Sequence, residues 1–432
     1  MAWDFETEPA FQADLDWMRA LIDETIIPLE PVMGHLDEHD KTLIRDHLRQ
    51  QVKDRGLWGA FLDSELGGLG LGQLKLALMS EQIGRSMWSM VVFGVQAPDS
   101  GNMELLAHGA TAEQQERWLW PNYRGELSSA FALTEPQFAG ADPTRIGTTA
   151  VLDGGEWVLN GEKWMITNAS VADFILVFAE TNPENRPHKH ASVFVVPQGH
   201  PGLEIVRDIN TMAHPDAEYG RPGNHAYLRF HDLRLPQDHL IGEPGDGFVL
   251  AQKRLGGGRI HHAMRFLGMA QRSFDIMCER AVSRESHGKL LGSHQMIQDY
   301  IALSHMEIES ARLLTFRTAW NMDRLGAAAV RHELGMVKAL VSKTVLGVLD
   351  RTIQVCGSLG YSSELPVEAW YRSVRFGPIG DGPDELHKSV LARVLLKGYQ
   401  PAEGWPSEHI PSRLADAEAK RDELLLAAGA TP

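Results

Sequence analysis

The segment PIGDGPDELHKSV, residues 378–390, brings together three carboxylates: Asp381, Asp384 and Glu385. A carboxylate held in a cleft can act as a general base, whereas one at a helix start complements the helix dipole. Pro383 suits a first helical turn, where its missing N–H is not needed. Asp384 and Glu385 then face the positive end of a helix whose apolar positions are Leu386, Val390, Leu391, Val394 and Leu395. As a helix-start charge, Asp384 is expected to contribute at most about 1 kcal/mol. Asp381 differs. It precedes the helix, between Gly380 and Gly382, where the backbone is free to bend and the side chain can project into a cleft. On this segment alone, both readings of the acids stand.

Two histidine pairs are the other groups that could do chemistry. His261 and His262 are adjacent within a helical pattern, so their side chains point apart, and they are read as structural. His188 and His190 occupy the polar stretch NPENRPHKH without a third ligand in view, and they are read as surface residues. Cys278 and Cys356 are the only cysteines, form no ligand cluster and suit a reducing compartment.

The elements that must position these groups follow from the rest of the chain. Its 432 residues are long enough for a large core and more than one domain. The content of 43% hydrophobic and 23% charged residues is that of a soluble globular protein. The net charge of −16 argues against a nucleic acid or an anionic membrane as partner. An anionic small ligand would need only a local basic pocket. No apolar run reaches the roughly 18 residues of a membrane span. The N-terminus, MAWDFETEPAFQADLDWM, is acidic where a targeting signal would be basic, so a cytoplasmic location is expected.

The expected fold class is α+β, in three zones and a tail. Residues 1–125 read as an N-terminal all-α domain. Residues 126–240 read as an antiparallel β-domain, with hairpin turns at Gly154-Gly155 and Asn160-Gly161. Residues 241–400 read as a C-terminal helical bundle, and 401–432 as a proline- and charge-rich tail with a short helix at 414–427.

This order, together with particular words in the sequence, resembles the acyl-CoA dehydrogenase family over about residues 10–400. The words are FALTEP (131–136), NGEKWMITNA (160–169), RESHGKLLGSHQMIQ (284–298), QVCGSLGYSSELPVEAWYRSVR (354–375) and GDGPDE (380–385). The segments APDSGNMELLAHG, GRIHHAMR and DGPDE place the resemblance in the branch of family members 10 and 11, in their dehydrogenase portion. Animal members of that branch carry an additional kinase-like domain, and the branch is linked to 4-hydroxyacyl-CoA breakdown.

The resemblance implies FAD as cofactor. Phe131, Leu133, Thr134 and Ala141 would belong to the first flavin contact, and Trp164 and Thr167 to the second. A flat amphipathic ring needs an apolar wall and a few aimed polar groups. Arg284, Ser286 and Gln295 would reach the cofactor's pyrophosphate in a neighbouring subunit. Gln354 and Gly357 would approach its adenosine side across the same boundary. Pro383 and Glu385 would stand near the flavin where the family commonly has Thr and Gln. Asp381 takes the place of the family's usual glutamate base and Gly382 follows it. Arg259 and Gly382 would line the acyl-CoA site. Some members carry the base just before that arginine; here the position is Gly258, so no carboxylate competes with Asp381.

The implied reaction is α,β-dehydrogenation of an acyl-CoA thioester to 2-enoyl-CoA. Asp381 would remove the α-proton while the β-hydride passes to the flavin. The shorter base favours a branched or 4-substituted acyl chain. Two other readings stand beside it: an Asp-base flavoprotein oxidase acting on nitroalkane-like substrates, and a catalytically silent flavin-binding protein. The implied partners are an electron-transfer flavoprotein and further copies of the chain, as a homodimer or homotetramer. No metal is expected.

Overall fold

A computed structural model describes residues 6–430 apart from 63, 65–67, 143, 187, 217–219, 221, 222 and 402–405, with the backbone alone at 255–257 and 406–409. Among the described residues eight α-helices come first: α1 (Pro9–Leu21), α2 (Ile27–Met33), α3 (Glu38–Asp54), α4 (Gly72–Ile83), α5 (Met87–Val92), α6 (Asp99–Gly109), α7 (Ala112–Gln114) and α8 (Trp120–Arg124). The sheet follows: β1 (Ser129–Ala132), β2 (Thr149–Asp153), β3 (Glu156–Thr167), β4 (Phe174–Glu180), β5 (Ala191–Pro197), β6 (Leu203–Ile209), β7 (His225–Pro236) and β8 (Leu240–Ile241). The chain then returns to helix in α9 (Gly247–Ser283), passes a small hairpin of β9 (Glu285–Ser286) and β10 (Lys289–Leu290), and continues as α10 (Gln295–Leu325), α11 (Arg331–Cys356), α12 (Val367–Val374), α13 (Asp384–Leu396) and α14 (Pro406–Ala427). Helices, sheet and helices succeed one another as the sequence pattern requires.

The sheet order is β6-β7-β3-β2-β4-β5-β8, with β1 also paired to β4. Most pairs are antiparallel, but β1 and β2 both run parallel to β4, so the sheet is mixed rather than purely antiparallel. The alternation along β4 explains its continuous apolar run. Ile175, Val177 and Ala179 enter one core, while Phe174, Leu176 and Phe178 enter a second core with side chains of α6 and the start of α9. A strand covered on both faces has no polar side to show.

Gly154 and Gly155 form the expected two-residue turn between β2 and β3, both at positive φ. Asn160-Gly161 makes no turn. Both residues lie inside β3, and the pairing with β7 shifts register between Leu159 and Gly161. Gly161 sits at φ +145°, where a Cβ would come within 2.6 Å of the Thr148 Cα. This glycine marks a bulge and a close backbone approach.

Long α9 crosses α4 at glycine. A Cβ on Gly268 would lie 2.0 Å from the Glu81 carbonyl oxygen, and one on Gly84 would lie 2.1 Å from that of Arg265. The close crossing fixes the part of α9 that carries Arg259, His262 and Arg265, with Arg254 nearer the helix start.

Residues Ser389–Pro432 form a separate compact unit. Its helix α14 begins at Pro406, eight residues ahead of the short helix read from the pattern. The apolar positions of α13 form a helix as expected but are not buried, with Leu386, Val394 and Leu395 exposed.

Candidate functional site

Asp381 sits in the loop between α12 and α13 at φ +54°, followed by Gly382 at φ +87°. Left-handed non-glycine residues are uncommon and cluster at functional sites, although aspartate adopts this conformation more readily than most residues. The ring of His387, one turn into α13, holds the loop through its Nε2 at 3.1 Å from the Asp381 carbonyl oxygen. The Asp381 N–H meets no acceptor among the described residues. The carboxylate lines an open cleft, whose walls include Arg259, His262, Phe266, Lys338, Ser342 and Phe376. Its side chain is about one-third exposed.

Positive charge surrounds this carboxylate. Burial alone pushes the Asp381 carboxyl up, but His262, Arg254, Arg259 and Lys338 outweigh it and hold it below the ordinary range. Burial pushes the Arg254 and Arg259 guanidinium groups down, and the charge of Asp381 pulls both back. Arg254 is fixed by donating from Nε to Asn102 Oδ1 at 3.0 Å and by lying 4.2 Å from the Phe131 ring centroid. Asn102 donates in turn to Ser129 Oγ, whose hydroxyl donates to buried Asp99. The Nε of Arg259 is buried without a hydrogen-bond partner among the described residues.

Two expectations need correction here. Asp384 is no surface charge at a helix start. It is buried, and its Oδ1 lies 2.7 Å from the Nζ of equally buried Lys338. The helix pattern could not show that α11 passes beneath this turn with a lysine at the contact. Glu385 is exposed, as a helix-start acid should be. His262 is the second correction. Its Nδ1 lies 3.5 Å from Asp381 Oδ2, and its ring lines the cleft. Adjacent residues do point apart, but one of the two had to face the loop. The signal was present, because Arg259, His262 and Phe266 recur at helical spacing and share a face. Burial and the Arg265 charge push His262 down to about 4 against the pull of Asp381, and push His261 down to about 3.

His188 is exposed and packs 4.3 Å from the Phe248 ring, but His190 is buried, contrary to its reading as a surface residue. It immediately precedes β5. Among the described residues no group of His, Cys, Asp and Glu could hold a metal ion.

The segments FALTEP and NGEKWMITNA meet. Thr134 Oγ1 donates to the Trp164 carbonyl at 2.6 Å, and Trp164 N donates to the Thr134 carbonyl at 3.0 Å. Beneath them, fully buried Lys163 donates to the Leu133 carbonyl at 3.0 Å and to Glu135 at 2.7 Å. Burial pushes Lys163 down to about 8 against the pull of Glu135. Burial pushes Glu135 up, but Lys163 and the N–H groups of Gly147 and Thr148 leave it below the ordinary range. This buried clamp fixes the surface above it. Trp164 and Met165 lie there 40% and 39% exposed, beside Thr134 and the Thr167 hydroxyl, which is 2.9 Å from His225 Nδ1. Ala141 occupies an exposed turn of the loop between β1 and β2. Phe131, under Arg254, links this surface to the cleft.

Arg284, Ser286 and Gln295 gather elsewhere, at the β9–β10 hairpin. There the Arg284 carbonyl accepts from Leu291 N, and His294 Nε2 lies 3.3 Å from the Ser286 carbonyl. Gln354 and Gly357 stand at the end of α11, where Gly357 turns to φ +64° and a Cβ would meet nothing within 4 Å. No hydrogen bond or ion pair among the described residues joins either group to Asp381 or Trp164. Pro383 and Gly382 immediately precede α13 beside Asp381.

Comparison with known proteins gives three consecutive family matches: the N-terminal domain of acyl-CoA dehydrogenase over residues 11–126, the middle domain over 130–231 and the C-terminal domain over 245–396. A Mycobacterium tuberculosis protein named acyl-CoA dehydrogenase FadE2 is 37% identical over 402 residues, 91% of this chain and 93% of that protein. Acyl-CoA dehydrogenase family member 11 of Rattus norvegicus is 37% identical over 364 residues, 84% of this chain but 46% of that protein. The chain thus spans about half the length of the family member 11 relatives it matches. A solved structure of a Mycobacterium abscessus protein described as an acyl-CoA dehydrogenase superposes with a TM-score of 0.86 at 34% identity, covering 92% of this chain and all of that one.

Proposed function

The chain belongs to the acyl-CoA dehydrogenase family, and on that premise we propose that it is an FAD-dependent enzyme that oxidises an acyl-CoA thioester to the 2-enoyl-CoA, with Asp381 as the base. The observation that carries this reading is the placement of Asp381: a carboxylate in a left-handed loop, lining a cleft and ringed by cations.

The residues present fit a flavin. Trp164 and Met165 offer an uncovered apolar platform, with the Thr134 and Thr167 hydroxyls at its margin. Phe131, Leu133 and Ala141 complete that side. Arg284, Ser286, Gln295, Gln354 and Gly357 would hold the remote part of the cofactor of a second copy, and Pro383 and Glu385 would flank the ring. When bound, the flavin supplies the two-electron acceptor for the β-hydride.

The chain's own residues do the rest. Asp381, ionised at neutral pH, takes the α-proton. Its N–H is available to the thioester carbonyl, where negative charge develops. Arg254 and Arg259 add a positive field in a partly dry cleft, where such charges act more strongly than in water. Arg259 and Gly382 line the path of the acyl group. Because aspartate is a methylene shorter than glutamate, the α-carbon must approach the loop more closely, which suits a branched or 4-substituted chain. An electron-transfer flavoprotein is the proposed acceptor of the electrons. The assembly is a homodimer or homotetramer. Among the described residues no helix is long and apolar enough to cross a membrane.

One observation favours a second reading. A carboxylate held below its ordinary range is a weak base, and a nitroalkane surrenders its α-proton more readily than a thioester does. Anaerobic flavin bleaching, screened across plain, branched, 4-hydroxy- and 4-phosphoacyl-CoAs and nitroalkanes, tests both. Bleaching by an acyl-CoA supports the dehydrogenase, bleaching by nitroalkanes alone supports the second reading, and bleaching by none makes the protein catalytically silent.

A further inference from the structure

Asp381 must lose the proton it gains before it can act again, and product would then fill the cleft in front of it. We propose that His262 is the relay that carries this proton from Asp381 to solvent. The proposal rests on the reading of Asp381 as the base and extends it.

The geometry singles out one ring. His262 Nδ1 is 3.5 Å from Asp381 Oδ2, and the His262 side chain is 29% exposed, so it touches both the carboxylate and water. A contact of that length is too long for a hydrogen bond as it stands, but such pairs commonly tighten only when substrate binds. The other groups facing Asp381 cannot serve. Arg254 and Arg259, from α9, are permanently protonated. Lys338, from α11, is engaged by Asp384 at 2.7 Å. His387, from α13, has its Nε2 on the Asp381 backbone carbonyl, and its Nδ1 side packs against Gly335. Arg265, also from α9, donates to the Val95 carbonyl at 2.7 Å.

The step balances. The α-C–H bond breaks and leaves its electron pair with the substrate, and an O–H bond forms on Asp381. That O–H bond then breaks as an N–H bond forms at His262 Nδ1. The imidazolium releases its Nε2 proton to water, Asp381 is again a carboxylate, and the Nδ1–H imidazole left behind exchanges protons with water to regain the Nε2–H tautomer before the next turnover. The surroundings keep the transfer shallow. Burial and Arg265 hold His262 at about 4, and the cations hold Asp381 low as well, so neither group retains the proton strongly.

The test uses the FAD-loaded protein in D2O with 3-thia-acyl-CoA esters of short and long chain. Sulfur replaces the β-carbon of these probes, so only α-proton exchange is read, by NMR. A parallel single-turnover measurement follows flavin bleaching by an oxidisable acyl-CoA. With His262→Asn, exchange should fall by about 10-fold or more, and by clearly more than bleaching does. His262→Ala should lose exchange and regain it on addition of free imidazole. His262→Gln replaces any variant that fails to retain FAD. The proposal is overturned if exchange is unchanged in His262→Asn, if bleaching falls as far as exchange does, or if imidazole rescues nothing. Exchange that persists in Asp381→Asn overturns the base reading instead, so the two failures are distinct.

Discussion

Replacing Asp384 by asparagine removes the carboxylate paired with buried Lys338 while keeping the side-chain shape. Both side chains are under one-tenth exposed, and their atoms are 2.7 Å apart. If Asp384 merely answered the helix dipole, the loss would be at most about 1 kcal/mol. Leaving an ammonium buried without its partner costs roughly 3–5 kcal/mol. Unfolding entropy of about 2.1 cal/mol/K per residue converts that loss to a Tm decrease of roughly 3–6 °C for a chain of this length. Differential scanning calorimetry of the FAD-loaded protein measures it. The double variant Lys338→Met/Asp384→Leu should be less destabilised than Asp384→Asn, because no lone charge remains buried. An Asp384→Asn protein melting within 1 °C of the native one, on the order of the dipole effect alone, would refute the reasoning.

Three further outcomes follow from the site. Arg284→Ala should lose FAD on dilution, and retention of FAD by a verified monomer at native affinity would contradict a cofactor site shared between copies. Asp381→Glu should shift preference toward substrates whose α-carbon sits farther from the loop, read as altered kcat/KM ratios across acyl-CoAs. Stability should fall as pH drops from about 6.5 toward 4, because unfolding frees His261 and His262 to bind protons that the fold refuses. The sign is that of depressed histidines: stability is full above the unfolded pKa and is lost toward the folded one. His261→Gln should flatten that slope by up to about 1.4 kcal/mol per pH unit in urea titrations.

Much of this was legible in the sequence, for identifiable reasons. Helical spacing and glycine-rich turns announce elements through local chemistry, so the order helix, sheet, helix and the Gly154-Gly155 turn could be read directly. The meeting of Thr134 with Trp164 was legible only through resemblance, since 30 residues separate partners joined by hydrogen bonds. What stayed hidden depends on contacts between distant segments. Asn160-Gly161 looks like a turn locally, yet Thr148 makes it a bulge. Asp384 looks like a cap until α11 supplies Lys338, and His262 looks structural until the Asp381 loop packs against its face of α9. Arg254 is not legible in the sequence, because a lone arginine in a glycine-rich helix carries no motif.

The central claim is that Asp381 takes the α-proton. Anaerobic stopped-flow reduction of the FAD-loaded Asp381→Asn variant by the best acyl-CoA of the screen tests it most directly, since asparagine preserves the shape but cannot accept the proton. Reduction should fall by roughly 100- to 10,000-fold, the range typical of a lost general base, with FAD content unchanged. Reduction at near the native rate, or an Asp384→Asn protein that folds and binds FAD yet is the inactive one, would contradict the account.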